Sequence, residues 1–253
     1  MDERNISRPR LGMPAPEFEV RTTQGNLHLP NDFVGNWVVL FGYTGDFQPV
    51  TSTELLAFNE LLPQLELNNA KLVAISPDTV ATHIAYLRSM CNFNKEGKCL
   101  DFRLASDPDG KMSRLYGLNP FDLNSRSADK TVFIIDPAGI LRAYVTYPLD
   151  IGINTQEVLR VLLALKTSES QNVQTPANWV PGAYTMVDPP QSMESANNRI
   201  TSHEKLGGFC MDWYLCFRDD NGQRERSLTQ LPQSDLFTPR LEEPGQQTNN
   251  NQN

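Results

Sequence analysis

Few of the residues that usually betray a function are present. Four cysteines in 253 residues are too sparse for a secreted disulfide scaffold. The three histidines, His28, His83 and His203, are scattered, and even His203…Cys210…Cys216 lacks the paired short spacings of zinc sites. There is no glycine-rich phosphate loop, serine nucleophile elbow or dinucleotide fingerprint, so no cofactor or metal is called for. Positive charge is not in excess: the net charge of -8 argues against nucleic acid or an anionic membrane as the main partner. The longest apolar runs, residues 37–41 and 158–165, fall far short of the roughly 18 residues that cross a bilayer. The opening MDERNISRPR mixes charge signs and leads into no apolar stretch, unlike a signal peptide. These absences lead us to expect a soluble, cytoplasmic protein with no nucleic-acid or membrane partner. No internal repeat is present.

What is there has an ordinary globular balance, 39% hydrophobic and 21% charged residues, enough for a sizeable core without staples. VVLFGY (38–43), KLVAISP (71–77) and KTVFIIDP (130–137) read as buried strands, short, β-branched and ended by turn residues. LRAYVTYP (141–148) follows a Pro137-Ala138-Gly139 turn, which predicts a hairpin. Residues 53–67 read as a helix kinked near Pro63, and residues 79–90 as a second helix with His83 on its solvated side. Asn154 and Glu157 cap a third, with Val158, Leu159, Leu162, Leu163 and Leu165 as its apolar face. Strands alternating with helices predict an α/β fold with a mixed sheet. After Lys166 the character changes. Residues 171–190 read as an extended arm, 207–218 as an aromatic cluster around Phe209, Trp213, Tyr214 and Phe217, and 219 onward as a disordered polar tail.

Within FGYTGDFQPVTSTEL (41–55), a strand ends, a loop follows and a helix opens. The segment resembles the active-site segment of the peroxiredoxins of AhpC/TSA type, whose pattern is Pro-x-x-x-Thr/Ser-x-x-Cys at the first turn of that helix. LGMPAPEF (11–18), DPDGKMSRLYG (107–117) and residues 132–148 agree in register. Cys210 and Cys216 around MDWYL resemble the C-terminal Cys-x-x-x-x-x-Cys of one-cysteine-like members with a long arm. The resemblance implies a thioredoxin-like mixed sheet flanked by helices, plus a C-terminal arm. It divides the chain into a tail (1–10), a core (11–166), an arm and dimerisation region (167–218) and a polar tail (219–253). It also implies a homodimer, with larger rings of dimers occurring in the family.

The same register removes the family's chemistry. Its peroxidatic cysteine falls on Thr51, its motif threonine on Gln48, its motif proline on Thr44, and its active-site arginine on Lys130; a second arginine is replaced by Ile153. Peroxide reduction needs a thiolate that becomes a sulfenic acid and is reduced by a second thiol. Threonine has no such redox cycle, and Lys130 could keep the charge but not the planar fork. Thr51-x-x-Glu54 reads instead as a capping box. The altered pocket, with Thr44, Gln48, Thr51, Glu54 and Lys130, leaves open a small ligand or anion at the helix N-terminus, or a different reaction. The leading expectation is a peroxiredoxin-like protein that has lost cysteine peroxidase activity and acts by binding, assembly or regulation. The alternative is a thiol-dependent peroxidase or redox sensor using Cys210 and Cys216. In an extended strand those two lie roughly 20 Å apart, so they read as buried thiols that pair only if the chain turns. Cys91 and Cys99 read as incidental, with a loop disulfide as the alternative.

Overall fold

The computed structural model describes residues 8–93, 99–118, 129–202 and 208–219; His203, most of the N-terminal tail and the polar tail beyond Asp219 lie outside them. The chain divides into two compact units, Met1–Leu162 and Leu163–Asn253.

The first unit is built on a seven-stranded sheet. Its strands are β1 (Phe18–Thr22), β2 (Gly25–Leu29), β3 (Trp37–Gly42), β4 (Ala70–Ser76), β5 (Arg103–Ser106), β6 (Asp129–Ile135) and β7 (Leu141–Pro148), in the order β2-β1-β5-β4-β3-β6-β7. β3, β4 and β5 run parallel, and the remaining pairs are antiparallel. β3 is central and every one of its residues is buried. That is why it reads as an unbroken apolar run rather than an alternating one. Around Val38, Leu40, Val73, Phe133 and Leu141 the buried side chains form one cluster. The β6–β7 hairpin turns at Gly139 (φ +81°), and Asp136 Oδ1 accepts from the backbone N–H groups of Ala138 and Ile140.

Helices α1 (Pro49–Leu67), α2 (Val80–Met90), α3 (Lys111–Leu115) and α4 (Thr155–Gln171) accompany the strands. α1 begins four residues before the sequence-based start and contains Pro63 within one helix. Asn154 caps α4 as expected, its Oδ1 accepting from Gln156 and Glu157 N–H. Asp107 closes the start of α3 by accepting from Met112 N–H, Ser113 N–H and the Ser113 hydroxyl. Among the described residues no helix is long and apolar enough to cross a membrane.

Beyond α4, the second unit contains β8 (Thr185–Met186), α5 (Met193–Ser202), β9 (Gly208–Asp212) and β10 (Leu215–Arg218). The three strands form a small antiparallel sheet, order β8-β10-β9. Phe209 stacks on Phe217 at 4.9 Å and meets Tyr184 edge-on at 5.4 Å. The aromatic cluster is thus the face of a hairpin, whose turn is Trp213-Tyr214.

Candidate functional site

The site is the junction where β3 gives way to α1. Pro49 occupies the first helical turn, where its fixed φ and missing N–H cost nothing. Gln48 is therefore the N-cap, with an extended backbone and no side-chain capping bond. Its carbonyl accepts from Ser52 N–H at 2.9 Å and from the Ser52 hydroxyl at 2.8 Å. Thr51 lies inside the first turn, 2% exposed. The capping box expected from Thr51-x-x-Glu54 is not formed. Thr51 comes too late in the helix to be the cap, and Glu54 has a stronger partner.

That partner is Lys130, 76 residues away in sequence and buried near the start of β6. Lys130 Nζ donates to Glu54 Oε1 at 2.6 Å and to the Ile151 carbonyl at 3.1 Å. Ile153 N–H donates to the same Glu54 oxygen at 2.9 Å. Both charged side chains are 1% exposed. Glu54 Oε2 is buried with no hydrogen-bond partner. Burial pushes the Glu54 carboxyl above the usual carboxylate range, and the bonds from Lys130 and Ile153 only partly pull it back. The ammonium group at this site is thus engaged by a carboxylate and a carbonyl. A compact ammonium also cannot offer the two parallel donors of a guanidinium.

Ahead of α1 the turn is held by a buried polar network. Tyr43 donates to Asp46 Oδ1 at 2.8 Å. Asp46 N–H donates to Asp78 Oδ2 at 2.7 Å, which also accepts from the Ser76 hydroxyl at 2.9 Å. His83 Nδ1 lies 2.8 Å from Asp46 Oδ2, and Nε2 lies 3.1 Å from the Ala105 carbonyl. The expectation of a solvated His83 is wrong: it is fully buried. His83, Tyr86 and Met90 are the buried residues of α2, and their i, i+3, i+7 spacing is the signal that places His83 inside. Phe47 sits at φ +58° with its ring 4.9 Å from Tyr86, whose hydroxyl is 2.6 Å from Ser52 Oγ. Burial raises both the Tyr43 and the Tyr86 hydroxyl above the ordinary phenol range. Neither is a ready phenolate. Thr44 is buried in the same turn, Gln48, Thr51 and Glu54 lie at the start of α1, and Lys130 joins this junction from β6 through Glu54. Asp46, Asp78 and His83 are its unforeseen members.

All four cysteines are paired. Cys91 and Cys99 form a disulfide with Cα atoms 4.3 Å apart, and Cys210 and Cys216 another with Cα atoms 4.0 Å apart. Both bridges, each an alternative to the thiols that the sequence reading favours, have a local cause. The β9–β10 hairpin folds the chain back so that Cys210 and Cys216 face each other in register. Cys91 follows the last turn of α2, and the chain returns to it before β5. No sulfur is left as a thiolate nucleophile.

Comparison with known proteins agrees with this fold. The AhpC/TSA family model matches residues 11–144, and that of the C-terminal domain of 1-Cys peroxiredoxin matches residues 164–203. A protein named Peroxiredoxin 2 from Caldanaerobacter subterraneus subsp. tengcongensis is 38% identical, over 83% of this chain and 93% of its own. A peroxiredoxin from Aquifex aeolicus is 37% identical, over 83% of this chain and 97% of its own. Among solved structures, a yeast mitochondrial 1-Cys peroxiredoxin, described for a thiol resolving mechanism via glutathione/thioredoxin systems, superimposes with a TM-score of 0.72 at 30% identity. It covers 83% of this chain and 99% of its own. A cysteine-to-serine mutant of peroxiredoxin 6 from Arenicola marina gives a TM-score of 0.67, also at 30% identity, over 77% and 90% of the two chains.

Proposed function

The chain belongs to the AhpC/TSA family of peroxiredoxins, and we propose that it is a member without cysteine-based peroxidase activity, working by binding, assembly or regulation. The observation that carries this reading is the Glu54–Lys130 ion pair beside Thr51. The peroxidatic position holds a hydroxyl with no redox cycle, and the neighbouring cation is neutralised from within the protein. Thr44 and Gln48 depart from the family pattern at the same junction, so the change extends beyond one atom. The Glu54 carboxylate also weighs against the anion pocket considered for this helix start, because it answers the Lys130 charge that an anion would need. We place the protein in the cytoplasm as a homodimer, the assembly suggested by its family, with neither nucleic acid nor membrane as partner.

The test is a peroxidase assay of purified protein with hydrogen peroxide and an organic hydroperoxide, beside Thr51→Cys. Neither protein is expected to exceed the uncatalysed rate. Saturable turnover by the unaltered chain would overturn the reading.

One observation favours a second reading. The Cys210–Cys216 disulfide is a two-electron couple: attack by one exogenous thiolate frees one cysteine and forms a mixed disulfide with the other, and attack by a second releases the exogenous disulfide and returns both cysteines to thiols. On that reading the protein is a thiol-dependent peroxidase or redox sensor. It requires hydroperoxide consumption in the presence of a thiol reductant that disappears in Cys210→Ser and in Cys216→Ser.

A further inference from the structure

We propose that Asp46 and His83 together hold one proton more than a carboxylate and a neutral imidazole do, and that this proton latches the turn before α1 onto α2. Both ring nitrogens of His83 face oxygens: Asp46 Oδ2 at 2.8 Å and the Ala105 carbonyl at 3.1 Å. A carbonyl oxygen and an ionised carboxylate only accept, whereas a neutral imidazole has one donor and one acceptor nitrogen. Either neutral tautomer opposite an ionised Asp46 therefore turns a lone pair onto a lone pair. Both side chains are fully buried, so bulk water cannot relieve the clash. With one added proton the conflict vanishes. It can sit on the ring, giving imidazolium and carboxylate, or on Asp46 Oδ2, giving a carboxylic acid that donates to Nδ1 while Nε2–H donates to Ala105. The two forms have the same proton count.

The groups facing this pair come from each surrounding element. The turn after β3 supplies Tyr43, which donates to the other Asp46 oxygen. The loop after β4 supplies Asp78, which accepts from Asp46 N–H. α2 itself carries Tyr86, whose surroundings include Asp46, Asp78 and Glu54; the cation of the site, Lys130, is engaged by Glu54. Three carboxylates thus surround a segment in which His83 is the remaining basic group named by these contacts.

The latch has something to hold. Phe47 is a non-glycine residue at φ +58°, a left-handed conformation that crowds its Cβ against the following carbonyl, and it immediately precedes the Gln48 cap. The family pattern stiffens this turn with a proline where this chain has Thr44. Here the Asp46 side chain does so, tied to Tyr43 on one oxygen and His83 on the other. When the shared proton leaves, one of the two His83 contacts becomes repulsive and the turn is released.

Nitrogen-15 NMR of the intact chain reads the proton directly. At neutral pH His83 is expected to carry hydrogen on Nε2 and to share a hydrogen between Nδ1 and Asp46; a bare Nε2 would overturn the proposal. Amide hydrogen exchange over residues 43–52 at neutral pH supplies the second readout. Protection is expected to be about tenfold or more lower in His83→Gln than in the unaltered chain. Equal protection in the two proteins refutes the latch, and the nitrogen-15 readout decides the shared proton whether or not the variant folds.

Discussion

Removing the Lys130 ammonium while leaving Glu54 in place isolates the charge pair on which the functional reading rests. In Lys130→Met the Glu54 carboxyl keeps the Ile153 N–H but loses its counter-ion, and the Ile151 carbonyl loses its donor. Both side chains are 1% exposed, so solvent cannot substitute, and breaking such a buried pair from one side costs about 3–5 kcal/mol. For a domain of this size that is a fall in Tm of roughly 6–20 °C. The pH dependence follows from Glu54. Its carboxyl is already raised by burial, and the Lys130 hydrogen bond pulls it down, so deleting Lys130 raises it further. A carboxyl raised in the folded state contributes stability that is complete below its unfolded pKa and is lost as pH rises through the folded value. The variant should therefore lie closer to the parent at about pH 5 than at about pH 8. Urea unfolding of both proteins at the two pH values measures this, and Glu54→Gln/Lys130→Met, with no buried charge left, should regain much of the loss. A cost below about 1 kcal/mol at neutral pH, or one equal at both pH values, would refute the assignment of Glu54 and Lys130 as a buried ion pair.

Two further outcomes follow from local geometry. Protein unfolded without reductant should show no titratable thiol, and all four should appear only after reduction; free thiols in the unreduced sample would contradict the Cys91–Cys99 and Cys210–Cys216 bridges. Asp107→Ala removes three hydrogen bonds at the start of α3 and should destabilise the protein by about 2 kcal/mol in chemical denaturation, whereas a change within about 0.5 kcal/mol would mean that α3 does not depend on this cap.

The parts of the fold visible in the sequence are those with long local signals. β3, β4 and β6 are apolar runs buried by partners on both sides, so burial and pattern coincide. β5 is invisible there because Arg103–Ser106 is only four residues long and owes its conformation to β4 and β1. The β1–β2 hairpin and α5 escape for the same reason: short, polar elements take their structure from neighbours. The candidate residues of the junction are legible through register, and two of them, Glu54 and Lys130, meet across the fold. What the residues do to one another is not. Thr51 and Glu54 satisfy a local capping rule, but that rule cannot see Lys130, 76 residues further along the chain. Likewise, the spacing of Cys210 and Cys216 excludes a bridge in an extended strand, yet the Trp213-Tyr214 turn between β9 and β10 brings them together.

The internal pairing at the junction bears on whether a cysteine alone could restore the family's chemistry. A thiolate in the first turn of α1 would gain from the positive end of the helix, an effect of about 0.3–1 kcal/mol. It would also face Glu54, whose carboxylate competes for the same ammonium and opposes a second negative charge nearby. Lys130 is held by Glu54 Oε1 and the Ile151 carbonyl, so stabilising the thiolate means drawing Lys130 from a buried carboxylate, and leaving such a charge uncompensated costs several times the helix contribution. The larger effect wins, and the thiol introduced by Thr51→Cys would stay protonated to a greater extent than the helix start alone implies. Lys130→Arg changes that balance, because a guanidinium has five donors and can meet Glu54 while leaving N–H groups for a neighbour. On the proposed reading, loss of the guanidinium fork therefore adds to loss of the sulfur in keeping this site from thiolate chemistry.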